Sequence, residues 1–455
     1  MEGYSRVTPR TDTICAIATP PGTGGVGIIR VSGPLGKSIA DQILDVQIDQ
    51  PRQVVFSRFV DDQGRTIDSG IAIFFAAPAS FTGEDILELQ GHGSPLILQM
   101  LMARLMELGA RPARAGEFSE RAFLNGKLDL VQAEAIADLI ESATEASARA
   151  AQRSLEGVFS KQVNELQQEL IDLRVFVEAA MDFPDEEIDF LADSDVLERL
   201  GRADKHLQAL SEQAHQGQLL RDGINIVIAG LPNAGKSSLL NALAGRDSAI
   251  VTDIPGTTRD VLREYISLDG LPVHVADTAG IRESTDQVEA EGIRRARATV
   301  MTADLVLLVL DSTMDIKPQQ VLRSEVPGNI PCIEVHNKAD LIDSKGIALD
   351  DGPQSVSVSA KTGQGLGELI HLVKSVVGAS ENYEGVFSAR TRHLDALKRT
   401  RKHIMAGHQQ LEKYNAPEIL AEELRLAQKS LGEITGEYLP DDLLGAIFSS
   451  FCIGK

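Results

Sequence analysis

"INIVIAGLPNAGKSSLLNAL", Ile224 to Leu243, decides how the middle of this chain folds. Gly230 is followed by four residues and then by Gly235-Lys236-Ser237, with a β-branched run before the glycines and a leucine-rich run after them. That is the P-loop pattern in its required context of strand, glycine turn and helix start. The glycines let backbone N–H groups close on phosphates. Lys236 is placed to reach β/γ oxygens, and Ser237 to ligate Mg²⁺.

A P-loop alone does not name the base. "NKAD", Asn337 to Asp340, follows the apolar run "PCIEV", and "SAK", Ser359 to Lys361, follows "SVSV". Both lie at strand ends, where ligands bind parallel sheets. Asp340 can accept from guanine N1–H and from the 2-amino group, a pair that adenine does not offer. The unit is therefore expected to be specific for GTP. All these elements stand in Ras-like order, and "LREYISLDGLPVHVAD" adds a hairpin with Asp269-Gly270 at its turn.

Between the P-loop and Asp277 lies "TDIPGTTRD", Thr252 to Asp260, where Ras-like proteins keep the loop that closes over Mg²⁺ and the γ-phosphate. Thr258 is the expected Mg²⁺ ligand there. "DTAGIRE", Asp277 to Glu283, then departs from the Ras-like pattern. Ile281 stands where a glutamine commonly orients the attacking water, and isoleucine can neither donate nor accept. Glu283, Asp286, Glu289 and Glu291 are the carboxylates at hand, and spacing does not choose among them. Ser284 and Gln287 have capping-box spacing, which predicts a helix with Val288, Ile293, Ala296 and Val300 on its buried side. Arg259 and Arg282 are candidates for an arginine finger by position alone.

Outward from this unit the chain divides into further regions. Its 455 residues suit roughly three domains, and its 43% hydrophobic content is ample for packed cores. β-like runs ("TICAIAT", "GIIRVSG", "GIAIFFAA", "DILELQG") alternate with the helix-like "LILQMLMARLMELGA" and predict an N-terminal α/β domain over 1–125. A helical part is expected over 126–222, where Val163, Leu166, Leu170, Leu173 and Val177 step by three and four as one apolar stripe. The P-loop unit fills 223–379, and helical character returns over 380–455. The expectation is one helical domain with a doubly wound, Ras-like G domain inserted into it.

"LVLLVL", Leu305 to Leu310, is too short to span a membrane and reads as a buried strand between Asp304 and Asp311. No signal peptide is inferred from "MEGYSRVTPRTDT". Cys15, Cys332 and Cys452 are too few and scattered for a disulfide framework or a zinc site, which suits a reducing cytoplasm. The terminal "CIGK" fits prenylation poorly. "FPDEEIDF", Phe183 to Phe190, lacks calcium-loop spacing and reads as a helix start or solvated loop.

A net charge of −22, from 66 acidic and 44 basic residues, opposes general nucleic-acid binding, so any RNA site must be local. Two basic stretches qualify as candidates. One holds Arg111, Arg114, Arg121 and Lys127. The other holds Arg390, Arg392, Lys398, Arg399, Arg401 and Lys402. A solvated helix face is the plainer account of both. "GTGGVG", Gly22 to Gly27, matches the dinucleotide fingerprint literally, but Pro20-Pro21 precedes it and β-rich "IIRVSG" follows. It is expected to be a loop between two strands, with Arg30 on the second.

End to end, the chain resembles the MnmE (TrmE) family of tRNA modification GTPases. The resemblance rests on "ATPPGTGGVGIIRVSG", "SFTGEDILELQGHG", "RPARAGEFSERAFLNGKLDLVQAEAIADLI", "GLPNAGKSSLLNAL", "DIPGTTRD", "DTAGIRE" and the terminal "FCIGK". It implies a homodimerising N-terminal domain that binds a 5-formyl- or methylene-tetrahydrofolate through Arg30, Glu88, Lys127 and Lys455. It also implies a flavoprotein partner, MnmG (GidA), in a heterotetramer, with FAD belonging to that partner. Together they would install an aminomethyl or carboxymethylaminomethyl group at carbon 5 of the tRNA wobble uridine. For the G domain it implies K⁺ held by Asn233 and by backbone oxygens around Thr252, Ile254 and Thr257, in place of an arginine finger. The family's catalytic glutamate falls on Glu289.

The nucleotide-contacting set implied is Asn233, Ala234, Gly235, Lys236, Ser237 and Ser238, then Thr252, Asp253, Ile254, Pro255, Gly256, Thr257 and Thr258. Asp277, Thr278, Ala279, Gly280, Asn337, Lys338, Asp340, Ser359, Ala360 and Lys361 complete it. Two other readings compete. One is a GTP-controlled module for ribosomal RNA, which the N-terminal "GGVGIIRVSG" and the terminal "CIGK" argue against. The other is a folate-dependent transferase whose GTPase is only regulatory.

Overall fold

The alternating runs at the N-terminal end form strands β1 (Ile14–Ile17), β2 (Gly24–Ser32), β3 (Val54–Val60), β4 (Thr66–Phe75), β5 (Ile86–Gly93) and β6 (Arg111–Pro112). The computed structural model describes residues 12–182, 194–245, 263–277, 301–315, 319, 321–342, 354–438, 440–449, 451 and 454. Two units emerge, Met1–Ala137 with Lys429–Lys455, and Asp138–Gln428.

In the first unit the strands order as β3-β4-β5-β2-β1-β6, antiparallel except for β1 beside β6. Helices α1 (Gly36–Ile43) and α2 (Pro95–Glu107) cover one face, burying Ile29, Val31, Phe59, Ala72, Leu87 and Leu89 against Ile39, Ile43, Leu101 and Leu105. Strand side chains alternate, so Arg30 and Glu88, paired in register across β2 and β5, project from the other face. The glycines of "GTGGVG" differ from the expected loop. Gly24, Gly25 and Gly27 open β2 itself, and the register against β5 shifts between Gly24 and Gly27, a bulge that absorbs the extra residue.

The first basic stretch is a solvated face only in part, since Arg114 and Lys127 are exposed while Arg121 is buried. It carries α3 (Glu117–Leu124), in which Arg121 is 3% exposed and bonded to Glu84, Glu117 and Asp12. The same unit contains the start of α4 (Leu130–Glu141), where Leu130 and Ala133 pack on Phe448 and Phe451. Phe448 belongs to α12 (Asp441–Ser449).

The second unit holds helices α5 (Glu145–Leu155), α6 (Val158–Asp182), α7 (Ser194–Asp222), α9 (Leu366–Val376) and α10 (Thr391–Tyr414), with most of α11 (Pro417–Thr435). The α6 stripe of Val163, Leu166, Leu170, Leu173 and Val177 is buried throughout, each side chain contributing about 2 kcal/mol of apolar burial. α7 turns Leu200, Ala203, Leu207, Leu210 and Ala214 inward and packs on α10, where Arg401 bonds Asp204.

The sheet of this unit contains β7 (Ile224–Ala229), β8 (Arg263–Leu268), β9 (Leu271–Asp277), β10 (Leu305–Asp311), β11 (Cys332–Asn337) and β12 (Ser355–Ser357) in the order β12-β11-β10-β7-β9-β8. All neighbours are parallel except β8 with β9. β10, "LVLLVLD", is buried at every position, as a strand covered on both faces must be. Asp269 and Gly270 turn the β8–β9 hairpin with φ of 48° and 88°, the paired left-handed conformations of a type I′ turn. β7 lies between β10 and β9, so the chain crosses over to opposite sides of it. The crevice at its carboxyl end, where α8 (Lys236–Ala244) begins, is the ligand position of such sheets.

Candidate functional site

At that crevice the P-loop turns through Asn233 at φ 63° and Gly235 at φ 95° before α8 starts at Lys236. Gly235 is required, because a Cβ there would collide with the Asn337 side-chain nitrogen. Lys236 is 8% exposed and folds back across the loop, donating from Nζ to the carbonyls of Gly230 at 3.1 Å and Leu231 at 3.0 Å. Its ammonium thus spans the concavity that the loop encloses. Ser237 and Ser238 are exposed on the first turn of α8, at the positive end of the helix dipole, which favours anions.

Three loops are bonded together beside it. Asn337 is 2% exposed; its Nδ2 donates to Ala234 O at 3.0 Å and its Oδ1 accepts from Ala360 N–H at 3.1 Å. One side chain therefore fixes the P-loop, "NKAD" and "SAK" relative to each other. Asp340 is exposed to the crevice and accepts from Ser359 Oγ at 2.6 Å, which orients the carboxylate. Ser359 Oγ in turn receives the Thr362 N–H at 3.2 Å. Lys361 is exposed beside them.

Lys338 stands between these anchors at φ 65°, and its Nζ donates to Asp311 Oδ2 at 2.6 Å. Burial works to raise the pKa of Asp311, but the bonds from Lys338 and Thr313 outweigh it and hold the carboxyl below the ordinary aspartate range. In the sequence Asp311 figures only as the charged flank of an apolar run. The parallel register that sets it opposite Asn337 is what gives it a partner.

A second cluster lies in the N-terminal unit. Arg30 Nε and Nη2 both donate to Glu88 Oε1, at 3.0 and 2.9 Å, and the guanidinium carbon sits 5.7 Å and 5.8 Å from the ring centroids of Phe81 and Phe118. Two aromatic faces and a carboxylate thus hold one cation, with 25% and 16% of the Arg30 and Glu88 side chains left open. Phe81 and Phe118 escaped sequence reasoning, because an aromatic beside a cation is visible only once the strands pair. Lys127 donates to Pro78 O at 3.1 Å at the exposed edge of this unit.

Thr252, Asp253, Ile254, Pro255, Gly256, Thr257, Thr258, Thr278, Ala279, Gly280, Glu289, Cys452 and Lys455 lie outside the described residues, as do "FPDEEIDF" and the helix expected after Ser284. For Asp277 the backbone alone is described, as the last residue of β9. Among the described residues no three His, Cys, Asp or Glu side chains gather as a metal site, and no helix is long and apolar enough to cross a membrane.

Comparison with known proteins gives full-length matches. The family model described as the MnmE helical domain matches residues 130–452, and that described as the GTP-binding protein TrmE N-terminus matches residues 13–127. The tRNA modification GTPase MnmE of Vibrio cholerae serotype O1 (strain ATCC 39315 / El Tor Inaba N16961) is 55% identical over 454 residues, covering 98% of this chain and 100% of that protein. The protein of that name from Pseudomonas aeruginosa (strain UCBPP-PA14) is 54% identical over 455 residues, covering 98% of this chain and 99% of its own. Among solved structures, the G domain of the T. maritima FeoB iron transporter is 27% identical, covering 34% of this chain and 98% of that chain at a TM-score of 0.26. That overlay is too weak to bear on the fold, which the family matches and the sheet topology establish.

Proposed function

This chain belongs to the MnmE family of tRNA modification GTPases and is a GTPase acting in tRNA modification; we propose that K⁺ activates its hydrolysis and that a folate one-carbon unit and the flavoprotein MnmG complete the reaction at the wobble uridine. The observation that carries the GTPase part is the three-loop junction at Asn337, which joins a phosphate-binding turn to a base-recognition carboxylate.

In this reading Asp340 accepts from the guanine N1–H and 2-amino groups. Lys236 exchanges the carbonyls of Gly230 and Leu231 for phosphate oxygens, a stronger, charge-assisted pairing. Ser237 and Thr258 would hold Mg²⁺, which neutralises phosphate charge when bound. Asn233, with Thr252, Ile254 and Thr257, would hold K⁺, which supplies positive charge between the β- and γ-phosphates. The exposed, left-handed Asn233 turn suits that task, since its side chain is not consumed within the core. Glu289 orients the attacking water that Ile281 cannot.

In the N-terminal unit a folate would contribute the one-carbon unit. Arg30 and Glu88 offer a cation and a carboxylate of the kind a pterin's donors and acceptors require, released when their mutual bonds open. Lys127 and Lys455 fit the acid tail. Two copies of the chain would bring two G domains together, and the acidic chain would leave much of the tRNA surface to MnmG.

The deciding experiment measures GTP turnover in K⁺ and in Na⁺, with energy transfer between fluorophores on the two G domains of a dimer as the association readout. Hydrolysis and G-domain association should rise together in K⁺. Glu289→Ala should keep GTP binding and lose about a hundredfold in K⁺-stimulated turnover, the scale of one preorganised polar group. Equal rates in the two salts sink the K⁺ reading, and an unimpaired Glu289→Ala sinks the glutamate.

A further inference from the structure

We propose that Asp311 is a positioning residue for guanine-nucleotide binding and that it acts through Lys338; the inference rests on the base-site reading above. Asp311 ends β10 directly opposite Asn337 at the end of β11, and it is 4% exposed. Its two carboxylate oxygens have separate duties. Oδ1 accepts from Thr313 N–H at 2.9 Å and Thr313 Oγ1 at 2.6 Å, closing a turn within its own loop. Oδ2 reaches to the neighbouring strand and takes the Lys338 ammonium at 2.6 Å.

The backbone beneath this carboxylate is clamped as well. Gln319, with no exposure, accepts the Asp311 N–H at 2.7 Å on Oε1 and donates from Nε2 to the Asp311 carbonyl at 3.0 Å. Ser312 N–H donates to Asn337 O at 3.1 Å. A loop cap needs Oδ1 alone. The clamp and the cross-strand bond together aim a fixed charge at one lysine.

That lysine is the residue in need of aim. Lys338 occupies the left-handed region at φ 65°, which a side chain with a Cβ enters only when its surroundings hold it there. Its neighbours in "NKAD" have other bonds, Asn337 to Ala234 and Ala360, and Asp340 to Ser359. The Lys338 ammonium is instead bonded to Asp311 on the neighbouring strand. Asp311 thereby fixes the segment that presents Asp340 to a base.

The test is the dissociation constant of the full chain for fluorescently labelled GDP, in the wild type, Asp311→Asn, Lys338→Met and the double variant. Asparagine preserves the Thr313 turn, so Asp311→Asn keeps the loop while removing the charge. It should weaken GDP binding about tenfold, the worth of a charge-assisted hydrogen bond. In the Lys338→Met background the same change should cost less than about twofold, since a residue acting through a partner has no effect without it. An equal loss in both backgrounds, or no loss in either, overturns the role. Asp340→Asn separates this from the base-site reading. If it shifts preference from GDP to xanthosine diphosphate while the Asp311 effects are additive, only the positioning role falls. If it leaves GDP preference intact, both fall.

Discussion

Glu117 has no solvent exposure, yet it accepts from Arg111 Nη2 at 2.6 Å, from the Arg114 N–H at 2.9 Å and from Arg121 Nη2 at 3.1 Å. Burial pulls its pKa up, and the bonds from Arg111, Arg114 and Arg121 overcome that pull and hold the carboxyl down at about 2. Because the folded pKa lies below the unfolded one, the stabilisation is complete above the ordinary glutamate range and drains away as pH falls toward 2. Against an ordinary value near 4.3 it amounts to about 3 kcal/mol. Glu117→Gln should therefore lower the melting temperature of the full chain at pH 7, and the gap from wild type should narrow as pH drops below about 4. A gap that stays constant with pH would remove the charge from the account. The arginines of this stretch were legible as a cluster, but not the burial of Arg121 among them. Glu117 and Glu120, interleaved with Arg114 and Arg121 at helical spacing, were the available sign that the cations had partners at home. The choice of Glu289 among four carboxylates, by contrast, came from family resemblance alone, since residue spacing does not reveal which one a folded loop turns toward water.

At the scale of elements, legibility followed how well local pattern and tertiary setting agree. The β8–β9 hairpin was readable because Asp-Gly can adopt two left-handed conformations in succession, and the structure uses both. β3 was not, because its pattern is inverted. Val54 and Phe56 are exposed while Ser57 is buried at 2%, held by bonds to Asp45, so alternation points the wrong way. The β2 glycines misled for a related reason, since a bulged strand start is indistinguishable in sequence from a loop. The hairpin turn also has a neighbour that no local pattern could name. Thr144, the N-cap of α5, donates from Oγ1 to Gly270 O at 2.9 Å, and a Cβ on Gly270 would stand 3.1 Å from the Ala146 methyl. Gly270→Ala meets a positive φ and that tight contact together. It should cost about 1–2 kcal/mol, seen as a lower melting temperature for the full chain. A variant as stable as wild type would mean the turn relaxes away from α5 at no cost.

At the scale of the chain path, helical sequence on both sides of a P-loop unit was enough to read an inserted G domain. What holds the two crossings was not readable, because it depends on residues far apart in sequence. The path leaves α7 at Asp222 for β7 and returns near Ser388 to begin α10. Asp138, whose side chain is 4% exposed, accepts from Arg221 Nε at 2.9 Å on the outgoing side. On the returning side it accepts from Arg390 Nη2 at 2.6 Å and Ser388 Oγ at 3.1 Å. Around it Gln216 donates to Gly378 O and accepts from Ser380 N–H, both at 2.7 Å, so both crossings are tied to the same helices. A single buried carboxylate between two guanidiniums makes the unfolding of sheet and helices interdependent. Asp138→Asn keeps the shape and removes the charge, leaving both arginines facing a neutral amide. The loss should be about 3 kcal/mol, as for a buried ion pair broken from one side. In calorimetry of the full chain, the unfolding of the Asp138–Gln428 unit should separate into two transitions, with the G-domain sheet no longer coupled to α7 and α10. One undivided transition at the wild-type temperature would assign the coupling to the packing of α7 against β9 instead, with Asp138 only filling space between two arginines.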